Sequence, residues 1–265
     1  MIRHKVALPG PARYRKLIRE TLQSMAQGDV AKSRDEVLSE ILGHPGANRV
    51  VFSNRNFVCV PNRIFEGGEF YALADAKFAA LGDLFPNDAL EIHLGIRDPA
   101  TFVPAAFGLS SGRSFDSFLN GVDPDALYWS DLIDRIREIL PNAKVVVWCN
   151  EDTPFIWPHI LRAMAGFPAD QKVSGGYDLI GSVLSDEGVR KLQGYFKTNP
   201  PRSETQRQKV LLAFMERYAK DDAIEEDVDA PGWTEDLMED LSEAYDEDVA
   251  EIAQRNDITF IAPSF

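Results

Sequence analysis

The chain has 265 residues, 45% of them hydrophobic and 26% charged, with a formal net charge of -14. This length and composition suit one large domain and exclude a disulfide-stapled miniprotein and a disordered tail. No apolar run approaches the roughly 20 residues that cross a bilayer, and Met1 to Gly10 lacks the apolar stretch of a signal peptide. Cys59 and Cys149 stand among apolar residues, so we expect buried free thiols and a cytoplasmic protein.

The negative charge is concentrated near the C-terminus. Residues 221–254 hold fifteen Asp or Glu and no Lys or Arg, which leaves 27 acidic and 28 basic residues elsewhere. Nucleic-acid binding needs clustered basic residues, so this balance argues against a nucleic-acid partner. An N-cap at Thr234 and apolar residues at helical spacing predict an amphipathic helix. We expect its acidic face to be solvated, and it is also the candidate surface for a protein partner.

Apolar runs bounded by turn residues alternate with helical patterns, which is typical of a parallel α/β sheet. In chain order the sequence predicts helices over 12–25 and 33–42, a strand over 49–53, a helix over 70–84, a strand over 90–96, a helix over 129–140, a strand over 143–149, helices over 154–165, 185–196 and 204–219, and a strand over 258–261. We therefore expect one three-layer α/β domain over 1–265, in which 168–254 forms a mostly helical cap or extension.

The strand over 90–96 runs into an Arg-Asp-Pro turn. Ligands of parallel α/β sheets bind beyond the carboxyl ends of the strands, so Arg97 is placed to meet an anion. Pro99 in a first helical turn would leave the next amides free to join Arg97 in a phosphate cradle. Ser110, Ser111 and Arg113 are weaker candidates for the same crevice. Taken alone, the tripeptide is also a common helix start.

The next strand ends in Glu151 and Asp152, directly before Thr153 and Pro154. The structural interpretation of this pair is that its negative charges stabilise the N-terminus of the following helix through the helix dipole. The functional alternative is that Glu151 orients an acceptor molecule or a basic residue in the crevice.

Two other kinds of site are disfavoured. Gly108 to Gly112 formally match Gly-x-Ser-x-Gly, but a nucleophile elbow follows a strand, whereas the preceding run contains Pro104 and the only later histidine, His159, lies in a helical stretch. A loop that ends one helix and caps the next at Ser114 is favoured. The four histidines lack metal-ligand spacing, so we expect no metal site.

The order of the motifs at the strand ends is similar to that of a known protein family. Ser-Asn-x-Asn-Phe over 53–57 is followed by Arg-Asp-Pro over 97–99, Glu-Asp over 151–152, and a helix with Tyr-x-x-Asp over 245–248. In this order the chain resembles the bacterial sulfotransferase-like branch of the P-loop fold, over about 45–165 and 233–262. The resemblance implies transfer of a sulfuryl group from 3′-phosphoadenosine 5′-phosphosulfate to a small or carbohydrate-like acceptor, with Arg97 binding the 3′-phosphate.

Three features depart from that family. Its second 3′-phosphate donor is a serine eight residues after the arginine, where this chain has Ala105, and its acidic residue in the Ser-Asn segment is replaced by Arg55. Its Gly-rich phosphate loop should follow the first strand, yet no GxxxxGKS/T or Gly-x-x-x-x-Gly-Thr occurs here. Because Arg3 to Pro9 suits a helix end, we expect the chain to start downstream of the first βα unit. The alternative function is a degenerate, non-catalytic scaffold acting in protein association.

Overall fold

A computed structural model describes residues 5–44, 46–220 and 230–265. Within them the chain is a mixed α/β protein with short parallel strands. The strands are β1 (Val6–Ala7), β2 (Arg49–Val50), β3 (Glu91–Ile96), β4 (Lys144–Cys149) and β5 (Thr259–Phe260). The helices are α1 (Pro11–Gln27), α2 (Arg34–Leu42), α3 (Leu73–Leu84), α4 (Pro99–Gly108), α5 (Phe115–Leu119), α6 (Trp129–Ile139), α7 (Thr153–Ala165), α8 (Asp178–Val183), α9 (Asp186–Thr198), α10 (Glu204–Tyr218) and α11 (Glu235–Gln254).

The described strands form two parallel sheets. In the smaller one β1 pairs with β2, with Val6 opposite Arg49. The larger sheet has the order β3-β4-β5, and Val146 of β4 lies opposite Thr259 of β5. The predicted parallel α/β architecture is therefore confirmed at this coarse level.

Strands β3 and β4 are joined at both of their ends. The amide of Lys144 donates to the carbonyl of Leu90 at 3.0 Å, and the amide of Asn150 donates to the carbonyl of Ile96 at 2.7 Å. Because start pairs with start and end with end, β3 and β4 are parallel. Their carboxyl ends consequently open at the same edge of the sheet.

The chain divides into two compact units. The first comprises the described residues within Met1–Ile92, Asp98–Val145 and Ala230–Asp257. Its core contains an aromatic-rich cluster from the segment before α3, from α4 and from α5, which is formed by Ile64, Phe65, Val103, Ala106, Phe115, Phe118 and Leu127.

The second unit comprises the described residues within His93–Arg97, Val146–Asp229 and Ile258–Phe265. Its core lies between helices α7 to α10 and is formed by Phe155, Ile156, Ile160, Ile180, Leu184, Leu192 and Leu211. Trp148 of β4 and Ile261 after β5 pack against this core and attach it to the ends of their strands.

The predicted long elements are confirmed to within a few residues, whereas short ones differ. The strand predicted over 49–53 is only two residues long, and Leu73 rather than residue 70 starts α3. The interpretation of Arg3 to Pro9 as a helix end is wrong for its described part, because Val6–Ala7 is a strand and α1 starts at Pro11. A two-residue strand is too short to show the alternation by which strands are predicted.

None of the helices in the described part of the chain combines the length and the apolarity that a bilayer span requires.

Candidate functional site

Charged residues follow both β3 and β4 at their shared carboxyl edge. The hydrogen bond at the carboxyl ends of the two strands joins Ile96 and Asn150. Arg97 directly follows Ile96, and Glu151 directly follows Asn150. Arg97 is half-buried and Glu151 is exposed. The structure thus brings these two predicted residues to neighbouring strand ends within the second unit. We call Arg97, Glu151 and Asp152 the β3–β4 rim.

Asp152 is a residue of this rim to which the sequence interpretation gave only a capping role. Burial, and next the negative charge of Glu151, raise the pKa of Asp152 to about 6. It stands at the N-cap of α7, but its side chain makes no capping hydrogen bond. A carboxyl group that is mostly ionised at pH 7 and more basic than an ordinary aspartate is a competent proton acceptor.

Close packing of one glycine fixes the backbone beneath the rim. A Cβ atom at Gly95 would lie 3.2 Å from the indole ring of Trp148 on β4. This approach is tighter than most side-chain contacts, so a larger residue at Gly95 would require the Trp148 ring to shift by a few tenths of an ångström.

The start of α4 differs from the predicted phosphate cradle. The side chain of Asp98 accepts a hydrogen bond from the amide of Ala100 at 2.8 Å, and its carbonyl accepts from the amides of Thr101 and Phe102 at 3.1 and 2.8 Å. Pro99 has no amide hydrogen to offer. The expectation of free amides after Arg97 is therefore wrong, because Asp98 binds them with its own carbonyl and carboxylate.

Helix α11 supports this helix start and another in the first unit. Ser242 donates its hydroxyl to the Asp98 carboxylate at 2.7 Å. Asp248, only 5% exposed, accepts from the amides of Trp129 at 2.7 Å and Ser130 at 3.3 Å, and so caps α6 from a different helix. The Tyr-x-x-Asp motif thereby has a structural role. The predicted N-cap is confirmed, since the Thr234 hydroxyl accepts from the amide of Leu237.

The three weaker candidates lie in one loop after α4, in the first unit. The amide of Ser111 donates to the Asn62 side chain at 3.1 Å, and Asn62 returns a bond to the Ser111 carbonyl. Arg113 is exposed. The pKa of Glu66 is lowered mainly by the hydrogen bond from Arg63 and, to a smaller extent, by the charge of Arg113. The structure therefore groups Ser110, Ser111 and Arg113 in one unit, while Arg97 and Glu151 belong to the other.

The segment around Gly108 contains no nucleophile elbow. Helix α4, not a strand, leads into it, which contradicts the Gly-x-Ser-x-Gly alternative. The loop ends as predicted at Ser114, whose hydroxyl accepts from the amide of Ser117 and caps α5.

A strand, a short loop and a helix occupy the N-terminal part of the first unit. The helix agrees with the one predicted over 12–25, whereas the strand before it was not predicted. The loop after β1 is Leu8-Pro9-Gly10, and α1 begins with Pro11 at its first position. Neither proline carries an amide hydrogen, so this loop offers fewer backbone donors than a Gly-rich phosphate loop. The available signal was a short apolar run and a Pro-Gly-Pro turn before a helical pattern.

The Ser-Asn segment over 53–57 and the residue before it contact helix α1. The Tyr14 hydroxyl of α1 donates to the Ser53 carbonyl at 2.8 Å, and the Tyr14 and Phe52 rings pack with centroids 4.9 Å apart. Lys77 of α3 donates to the carbonyls of Phe57 and Val58. Arg55, the departure from the family pattern, is exposed in this segment.

In the described ranges, no three His, Cys, Asp or Glu side chains are grouped so that they would hold a metal ion. Comparisons of the chain with protein-family models, with curated proteins and with solved structures found no match.

Proposed function

We propose that this protein is a sulfotransferase-like protein of the P-loop fold. It binds 3′-phosphoadenosine 5′-phosphosulfate and transfers the sulfuryl group to a small or carbohydrate-like acceptor. The observation that supports this most directly is the parallel pairing of β3 and β4, which brings Arg97 and the Glu151–Asp152 pair to one sheet edge. Such edges are where open α/β sheets bind ligands.

Arg97 is the proposed ligand of the nucleotide 3′-phosphate. A guanidinium group donates two parallel hydrogen bonds to a phosphate and stays charged at every physiological pH. Ser110, Ser111 and Arg113 remain weaker candidates for nucleotide binding.

On the acceptor side, the proposed proton acceptor is a carboxylate of the rim. The acceptor oxygen forms the new bond to sulfur while the bond from sulfur to the bridging phosphate oxygen breaks, and adenosine 3′,5′-bisphosphate leaves. The acceptor hydroxyl proton passes to Asp152, whose pKa of about 6 suits a base near neutral pH. Glu151, beside it and exposed, is proposed to orient the acceptor.

A second candidate function is the non-catalytic scaffold. It is favoured by the two prolines around Gly10, by Ala105 in place of a hydroxyl donor, and by Asp98 occupying the amides at the start of α4. In this case the exposed acidic face of α11 and residues 221–229, which lie outside the described residues, would supply the association surface.

A transfer assay separates the two functions. The full chain is incubated with donor labelled with ³⁵S and a panel of phenol, amine and sugar acceptors, with Asp152→Asn and the exposed Asp246→Asn as a matched pair. We expect labelled product with wild type and Asp246→Asn, and at least a 100-fold loss with Asp152→Asn, about the usual contribution of a general base. Nucleotide binding without any labelled product would contradict the catalytic proposal and favour the scaffold.

A further inference from the structure

The second unit carries a surface groove along α9 and α10, which we call the α9–α10 groove. It has a volume of about 480 Å³ and is lined by Tyr195 of α9 and by residues between Ser203 and Phe214 on α10. Volumes of about 300–1,000 Å³ are typical of sites for small molecules. The groove is separate from the β3–β4 rim residues, none of which lines it.

One part of this groove is aromatic and apolar. The rings of Tyr195 and Phe214 have centroids 6.1 Å apart, and Val210 and Ala213 lie beside them in the lining. Tyr195 is 40% exposed. Exposed aromatic surface in a concave site favours a flat apolar ligand, because stacking on a ring adds to the gain from burying its area.

The other part of the lining is polar, and two of its groups are already used within α10. The Ser203 hydroxyl accepts from the amide of Gln206, and the side-chain oxygen Oε1 of Gln206 accepts from the amide of Arg202, so both residues stabilise the helix start. Lys209 is exposed and supplies the charge of the lining. Thr205 precedes it by four residues, on the same face of the helix.

The surrounding charge has the sign that an anion requires. Residues 186–220 contain eight Lys or Arg and four Asp or Glu. The aromatic rings beside Lys209 come together only when α9 and α10 pack against each other.

We propose that the α9–α10 groove binds a small flat aromatic molecule that carries an anionic group. The rings of Tyr195 and Phe214 pack against the aromatic part, and Lys209, with the Thr205 hydroxyl beside it, binds the anionic group. This inference does not depend on the nucleotide site at Arg97.

Two fluorescent probes of nearly equal shape test the proposal. 8-Anilinonaphthalene-1-sulfonate has the aromatic system and a sulfonate, whereas N-phenyl-1-naphthylamine lacks the charge. We expect the sulfonate probe to bind the full chain more tightly than the neutral one, and Lys209→Gln to weaken only the sulfonate probe, by about two- to fivefold, as for an exposed ion pair. Lys197→Gln, which removes the same charge from α9 outside the lining, is the matched control.

Filling the groove is the second arm. Ala213 is exposed, so Ala213→Trp should fold, and we expect it to weaken both probes at least tenfold. Circular dichroism establishes that each variant is folded. The proposal is overturned if both probes bind equally, or if Lys209→Gln and Lys197→Gln have the same effect. Should Ala213→Trp not fold, hydrogen exchange decides: unaltered exchange of residues 203–214 on adding the sulfonate probe to wild type also overturns it.

Discussion

The Asp152 carboxyl group of the rim has a pKa that is raised toward neutral pH. Its pKa rises from 3.8 to about 6 because burial removes water from the carboxylate and Glu151 repels the added charge. Ionised Asp152 therefore costs folding free energy, and the strand edge that holds it is stabilised by other contacts. This is a common arrangement in catalytic carboxyl groups.

We predict that Asp152→Asn raises the melting temperature at pH 8. Between pH 3.8 and 6 the folded protein keeps a proton that the unfolded chain has lost, so the free energy of unfolding falls as the pH rises through this window. The destabilisation is complete above pH 6 and absent below 3.8. Thermal unfolding from pH 4 to 8 should show a gain that is largest at pH 8 and disappears near pH 4. Glu151→Gln should give a smaller gain, and a gain independent of pH would refute this explanation.

Two glycines of α9 should respond in opposite directions to the same substitution. A Cβ atom at Gly188 would lie 2.5 Å from the Cβ of Tyr218, whereas one at Gly194 would meet nothing within 4 Å. We predict that Gly188→Ala lowers the free energy of unfolding by about 1–3 kcal/mol through overpacking. Gly194→Ala should raise it by about 0.5–1 kcal/mol, since alanine is the better helix former. Urea denaturation measures both, and equal effects would contradict the packing of α9 on Tyr218.

At this scale the sequence predicted which residues stand at strand ends, but not their environments. Arg97 and Glu151 follow apolar runs whose ends are marked by charge, so their positions were predictable. The burial that raises the pKa of Asp152 is a property of the folded chain and cannot be read from local spacing. The helix start at Asp98 was predictable, but the expectation of free amides overlooked that an N-cap aspartate accepts from the amide of Ala100.

Helix α11 provides side chains that stabilise the N-termini of α4 and α6 in the first unit. Leu241, Tyr245 and Ile252 are buried, in agreement with the predicted apolar stripe. The same inner face carries Ser242 and Asp248, which bind the Asp98 carboxylate and the amides of α6. One face of this acidic helix therefore packs on the first unit and binds two helix starts, while the opposite face is exposed.

We predict that Asp248→Ala lowers the free energy of unfolding by about 1–2 kcal/mol, as for loss of an N-cap. The substitution leaves the buried amides of Trp129 and Ser130 without their acceptor. Asp246→Ala, on the exposed face of the same helix, should change it by less than about 0.5 kcal/mol. Chemical denaturation at pH 7 compares the two, and matching losses would show that helix charge, not capping, is responsible.

Element prediction succeeded where a pattern was long and failed where it was short or interrupted. Strand β4 is a nearly continuous apolar run, β3 has apolar residues at every second position (Ile92, Leu94 and Ile96), and α6 and α11 have clear apolar stripes. Strand β1 spans two residues, and α4 contains Pro104, which interrupts the helical pattern although Asp98 caps its start. The Asp98 carboxylate that caps α4 also accepts a hydrogen bond from Ser242 of α11, and this tertiary contact could not be predicted from the sequence.

For the whole molecule, an α/β architecture followed from the alternation of strands and helices, whereas the division into two units did not. The boundaries after Ile92 and Val145 fall inside β3 and β4, and the one after Arg97 falls in a continuous strand–helix connection, so no linker in the sequence marks them. Hence the placement of Ser110, Ser111 and Arg113 in a different unit from Arg97 required coordinates.

The central claim is that Arg97 binds the 3′-phosphate of an adenosine nucleotide, and a thermal-shift cycle tests it most directly. Wild type, Arg97→Ala and the control Arg217→Ala are each heated with adenosine 3′,5′-bisphosphate or with adenosine 5′-monophosphate, which lacks the 3′-phosphate. A ligand at about 100 times its dissociation constant adds about 2.7 kcal/mol to the stability of the folded state, which is a clear rise in melting temperature.

We predict this rise for wild type and Arg217→Ala with the bisphosphate only. It should be lost when either the 3′-phosphate or the Arg97 guanidinium is removed, with no further loss when both are removed. No rise in wild type, or an undiminished rise in Arg97→Ala, would contradict the claim.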